Sequence, residues 1–140
     1  MTRKTDILDL VARKLAPYML LFGLYLVSYG DTSPGGGFQG GVVIASGVIL
    51  LAMARDVATV ERLFPLAALS SAETTAYGVF LIAGIAGMVA GAGFLADVFG
   101  RSAPGSLVPA ARFVFVLNLA IGIKVAAGVS LICMHLFREG

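Results

Sequence analysis

Lys124 is the residue of this sequence that most needs a chemical explanation, because it stands in a run built for lipid. Ala120, Ile121, Gly122 and Ile123 precede it, and Val125 and Ala126 follow it. A cation near the middle of a membrane-crossing helix costs at least about 2.5 to 3.5 kcal/mol on insertion scales. The ammonium therefore needs water, a counter-charge or a way to give up its proton. Ala120, Ala127 and Gly128, one turn to either side, narrow its helix face and direct it toward a protein interface rather than lipid. Asn118, a turn and a half earlier, adds a neutral polar group about 120° around the helix. Desolvation disfavours the charged form of an ammonium and a nearby carboxylate favours it, so such a group can relay protons or gate a cation path. The alternative is a fixed ion pair with an acid from elsewhere, on another chain. Within this chain no carboxylate is expected at matching depth, since Glu73 falls near the cytoplasmic start of the third span and Asp31 and Asp97 near the outer ends of the first and third.

The other reactive side chains form no site. His135 is the sole histidine and has no Ser/His/Asp or metal-ligand cluster around it, so no catalytic residue, metal or cofactor is expected and the chain does not read as an enzyme. Cys133, between Ile132 and Met134, reads as a buried, inert thiol, and a lone cysteine excludes an intramolecular disulfide.

A second candidate element is the run Ser33, Pro34, Gly35, Gly36, Gly37, Phe38, Gln39, Gly40 and Gly41. Its Gly35-x-Gly37-x-x-Gly40 spacing matches the dinucleotide fingerprint only superficially, because no strand precedes it and no parallel sheet can form around it. Physically, Pro34 stops a helix, the glycines open backbone conformations closed to other residues, and Gln39 brings an amide to the start of the next span. Free N–H groups at that start would favour an anion or a partner's carboxylate. The simpler reading is a tight turn that lets the first two spans approach closely. Non-helical backbone at membrane depth is tolerated only beside protein or a water-filled cavity, so either reading implies that this corner is covered.

The elements that position these residues follow from composition. With 59% hydrophobic and 13% charged residues, the 140-residue chain is an integral membrane protein, since soluble domains carry roughly a quarter charged residues. One crossing needs roughly 20 apolar residues, so the length holds about four. The fold class is all-α: a single domain over 1–140, a bundle of four transmembrane helices preceded by a short N-terminal interfacial helix in which Ile7, Leu8, Val11 and Leu15 recur at helical spacing among charges. The spans are expected at roughly Ala16 to Tyr29, with Pro17 in the first turn, Phe38 to Ala54, Thr75 to Val98, and Ala110 to Phe137. A net charge of +2, placed at the ends of hydrophobic runs, excludes nucleic acid as a partner. With both termini cytoplasmic, that side receives Arg3, Lys4, Arg13, Lys14, Arg55, Arg62 and Arg138, against Arg101 and Arg112 outside. The positive-inside rule favours that topology.

Small residues repeat on helix faces, as in Gly84, Gly87 and Gly91 of the third span and Gly41-x-x-x-Ala45 of the second. Such notches admit a neighbouring helix, from this bundle or from another subunit.

The segment Ser33-Pro-Gly-Gly-Gly-Phe-Gln-Gly-Gly41, set between the first two of four spans, resembles the MrpB/MnhB-like family of Mrp-type multisubunit sodium/proton antiporters, with its relatives in membrane-bound hydrogenases and related respiratory complexes. A second stretch, Asn118-Leu-Ala-Ile-Gly-Ile-Lys124-Val-Ala-Ala-Gly128, is similar to the family's last-span signature. Antiporter members of that family carry an aspartate near the start of the stretch, where Asn118 stands here. The departure leaves two settings open, a stand-alone antiporter and the antiporter-like module of a redox complex. The resemblance implies a small accessory component of a bacterial or archaeal cytoplasmic membrane complex that helps form a cation path while larger subunits carry protons. Its implied partners are those subunits, the bilayer, and Na+ and H+ as the ions moved by the complex. An autonomous homodimeric four-helix transporter is the remaining alternative, and it lacks the acidic residue in the first span on which small multidrug exporters rely.

Overall fold

The computed structural model describes residues 3–30, 35–55, 57–91, 93–95 and 110–139. Five helices account for nearly all of them: α1 (Arg3–Ser28), α2 (Gly37–Ala54), α3 (Val57–Leu63), α4 (Leu66–Val89) and α5 (Ala110–Glu139). All but α3 are long and apolar enough to cross a membrane. In lipid a helix satisfies its backbone polar groups internally, which is why the apolar runs take this form.

Three boundaries differ from the sequence-based expectation. The N-terminal residues form no separate interfacial helix but are the opening turns of α1, and Pro17 therefore lies inside that helix rather than in its first turn. Helix α4 begins at Leu66, not Thr75. The run Ser70-Ser71-Ala72-Glu73-Thr74-Thr75 looks like an interface in a hydropathy reading, yet its hydroxyls and carboxylate ride on continuous helix. At its other end α4 stops at Val89, well before Val98: Gly91 (φ 71°) and Gly93 (φ 103°) take the left-handed backbone that only glycine adopts without strain. The Gly91 N–H closes the helix on the Met88 carbonyl at 2.9 Å.

Helix α2 lies between α1 and α5, and α4 packs on α5. The contacts are made by small residues, with Ala12, Ala16, Ala45, Ala52, Ala76, Ala120 and Ala127 all buried. Large apolar side chains such as Leu21, Ile82 and Val89 point outward instead. Lipid tails cover such a surface at no cost, while close backbone approach supplies the packing that holds helices together in a membrane.

The start of α1 and the end of α5 lie at one end of the bundle. There Asp9 of α1 accepts hydrogen bonds from Arg13 at 2.7 Å and from Arg55, just past α2, at 2.9 Å. At the same end Arg138 of α5 approaches Glu61 of α3 at 4.0 Å. Below these charges Val48, Ala52, Val60 and Met134 make a compact apolar cluster, with α3 seated on it.

Candidate functional site

The two stretches singled out in the sequence pack against each other. A methyl group on Gly37, the first residue of α2, would run into the backbone carbonyl of Asn118. One turn on, a methyl on Gly41 would lie 2.7 Å from the Gly122 carbonyl and 2.9 Å from Cβ of Val125. The opposite edge of α2 is held as tightly by α1, where a methyl on Gly40 would meet Val27 Cγ2 at 2.5 Å and the Gly23 carbonyl at 2.7 Å. Real Cβ atoms do not approach backbone this closely, so α2 is gripped on both sides only because its first turns lack side chains.

This geometry assigns different work to the glycines than conformational freedom. Gly36, the N-cap of α2, is in extended backbone (φ 170°, ψ 171°), which any residue adopts, and a methyl there would meet nothing within 4 Å. Close approach at Gly37, Gly40 and Gly41 is what the motif supplies. Gly35 is half-buried, while Phe38 and Gln39 turn outward. Ser33 and Pro34 lie outside the described residues.

The notches of α4 have separate fates. Phe94, on the chain that doubles back after Gly91, drops its ring onto Gly84, so that notch is filled from within the chain. Gly78 faces open space.

Lys124 sits midway along α5, half-buried, with its ammonium over the ring of Tyr77 on α4, 4.6 Å from the ring centre. The negative face of an aromatic ring attracts a cation, more strongly when both are desolvated. Among the described residues no carboxylate forms an ion pair with Lys124. One turn along the same interface Glu73 of α4 reaches Gly128 of α5, its Oε1 3.0 Å from where a methyl on Gly128 would stand. Glu73 and Tyr77 are four residues apart, as are Lys124 and Gly128. The antiparallel helices thus pair Tyr77 with Lys124 and Glu73 with Gly128.

Glu73 is therefore nearer to Lys124 than expected from the sequence. The i, i+4 spacing of Glu73 and Tyr77 is the signal that points to it, and a third span beginning at Thr75 conceals that spacing. Asn118 contributes its backbone to the grip on α2. His135 bonds through Nδ1 with the Leu131 carbonyl at 2.9 Å, a local contact, and the described residues hold no group of three or more metal-ligating side chains.

Four apolar helices among the described residues, clamped through glycines and with the Lys124 cation midway along α5, define a small multi-pass membrane domain. Comparison with known proteins identifies its kind: residues 7–131 match the family described as a domain related to the MnhB subunit of Na+/H+ antiporters, and the chain belongs to that family. It is 37% identical over 101 residues to a Bacillus subtilis protein named as the B component of a Na(+)/H(+) antiporter, covering 70% of this chain and 68% of that one. An uncharacterised protein of Methanocaldococcus jannaschii is 33% identical, over 90% of this chain and 50% of its own length. A Staphylococcus saprophyticus protein named putative antiporter subunit mnhB2 is 38% identical over 65 residues, 46% of each chain. The chain thus spans about half the length of the latter two relatives.

Proposed function

We propose that this chain is an accessory membrane component of a multisubunit sodium/proton antiporter complex, in which Lys124 places a positive charge beside the cation path. Family membership over residues 7–131 supports the setting, and the names of the Bacillus subtilis and Staphylococcus relatives support the class of complex. The observation that carries the role of Lys124 is its ammonium resting on the Tyr77 ring midway along α5, with no ion pair to it among the described residues. A cation resting on a ring is tied to no fixed counter-charge, since such a contact is worth about 0.5 to 2 kcal/mol. The larger subunits carry protons in this reading, both termini face the cytoplasm, and the lipid-facing surface of the bundle sits in the cell membrane.

Affinity purification from native membranes, followed by identification of the co-purified subunits, tests the assembly. Sodium/proton exchange by the same complex in sealed vesicles tests the activity. Recovery of the chain alone, or as a homodimer that exchanges ions by itself, would remove the accessory reading. Co-purification with hydrogenase or other redox subunits would move the chain to the antiporter-like module of a respiratory complex.

A further inference from the structure

We infer that Glu73 is the carboxylate of the Lys124 site, a docking point for a monovalent cation within the membrane. The inference rests on the reading of Lys124 as a charge beside the cation path. Glu73 lies seven residues into α4, about 10 Å along the helix axis, and is half-buried. Its carboxylate is turned to α5, where the bare backbone of Gly128 makes room for it. The pairing of Tyr77 with Lys124 puts the ammonium in the adjoining turn of the same interface. Among the described residues no hydrogen bond or ion pair reaches Glu73.

Two opposite charges in neighbouring turns of one interface, with no ion pair between them among the described residues, link the occupancy of one to the position of the other. With the ammonium on the Tyr77 ring, the Glu73 oxygens are open to a proton or a sodium ion. When the ammonium swings toward Glu73 it neutralises the carboxylate and expels that ion, because like charges repel strongly where the dielectric is low. A single carboxylate suits a monovalent ion, since a divalent ion such as calcium takes six to eight oxygens in its shell.

The test uses the intact complex and dicyclohexylcarbodiimide, a reagent that attacks protonated carboxyl groups in apolar surroundings and leaves a stable mass-shifted adduct. Glu73 should be labelled, because it lies within an apolar helix interface that the reagent enters. Sodium chloride should slow the labelling about threefold relative to choline chloride at equal ionic strength, as expected for ion and reagent competing for one group. Labelling that falls with rising pH but ignores sodium is what any carboxyl group gives with this reagent, and it overturns the inference of a cation site. Glu73→Gln should lower exchange about tenfold in an assembled complex, and Glu73→Asp should keep exchange with a raised apparent KM for sodium. Three results overturn the inference. One is an unlabelled Glu73 with wild-type exchange in Glu73→Gln. Another is labelling insensitive to sodium. The third is a Glu73→Gln complex that fails to assemble but is restored by adding Lys124→Gln, which marks a fixed ion pair. Loss of exchange in Lys124→Ala alongside wild-type exchange in Glu73→Gln refutes Glu73 and leaves Lys124 in place, whereas wild-type exchange in both variants refutes both.

Discussion

Gly37 of α2 meets the backbone carbonyl of Asn118 in α5 with no room for a single methyl group between them. The obstacle is main chain on a neighbouring helix, which cannot step aside as a side-chain tip can, so the contact fixes how closely α2 and α5 cross. Asn118 also begins the turn below Gly122, which meets Gly41, and the Lys124 face continues from there. The glycine motif and the last-span motif are two sides of one interface.

Gly37→Ala should therefore destabilise the folded chain by about 1 to 3 kcal/mol, the usual penalty for overfilling a packed site. The intrinsic helix preference of alanine over glycine, about 1 kcal/mol, works in the opposite direction and should be outweighed. Gly36→Ala, facing open space in extended backbone, should stay within about 0.5 kcal/mol of the parent. Thermal unfolding of the detergent-solubilised complex separates the two variants. Equal melting temperatures would show that α2 and α5 are less tightly engaged than the contact requires.

On α4, Gly84 and Gly78 offer a matched pair. Gly84→Leu must displace the Phe94 ring, and should cost about 1 to 3 kcal/mol. Gly78→Leu points into unoccupied space and should leave the isolated chain near parent stability. If Gly78→Leu instead blocks recovery of the complex while the isolated chain stays folded, that face is covered by another subunit.

Lys124→Ala should depress sodium/proton exchange while the complex remains assembled, and Lys124→Arg should restore it only in part, because a guanidinium keeps the charge but does not readily release a proton. Tyr77→Phe retains the aromatic face and should exchange nearly as the parent does. Tyr77→Leu removes an attraction of about 0.5 to 2 kcal/mol and should lower exchange several-fold. Vesicle transport, normalised to intact complex in the same membranes, reads all four. Wild-type exchange across pH 6 to 9 in an assembled Lys124→Ala complex would refute the role of this charge.

The orientation can be checked in a Cys133→Ser background. A cysteine at the exposed Thr59 of α3 should react with an impermeant thiol reagent only from the cytoplasmic face, and one at Ser33 only from the opposite face. The reverse pattern would invert the topology expected from the arginines and lysines.

Much of the bundle was legible in the sequence because its causes are local. The second and fourth spans match α2 and α5 closely, since hydropathy along a continuous run suffices to define them. The third span differs at both ends for a physical reason: a helix continues through Glu73 and its four exposed neighbouring hydroxyls when Gly128 of α5 makes room for the carboxylate, and it stops early when Gly91 turns the chain. Neither event leaves a mark on an averaged hydropathy profile.

By itself the sequence determined that this chain belongs in a membrane, crosses it as helices, and carries at Lys124 a charge that lipid cannot accommodate. Those conclusions depend on the transfer of side chains and backbone from water to hydrocarbon, which each segment undergoes alone. Only the tertiary structure decided which surfaces meet: that Gly37 lies on Asn118, that Phe94 fills Gly84, and that Tyr77 and Glu73 share an interface with Lys124 and Gly128. Helix partners in lipid are selected by the fit of small residues at matched depth on separate segments. That fit is a property of two helices together and has no value until both are in place.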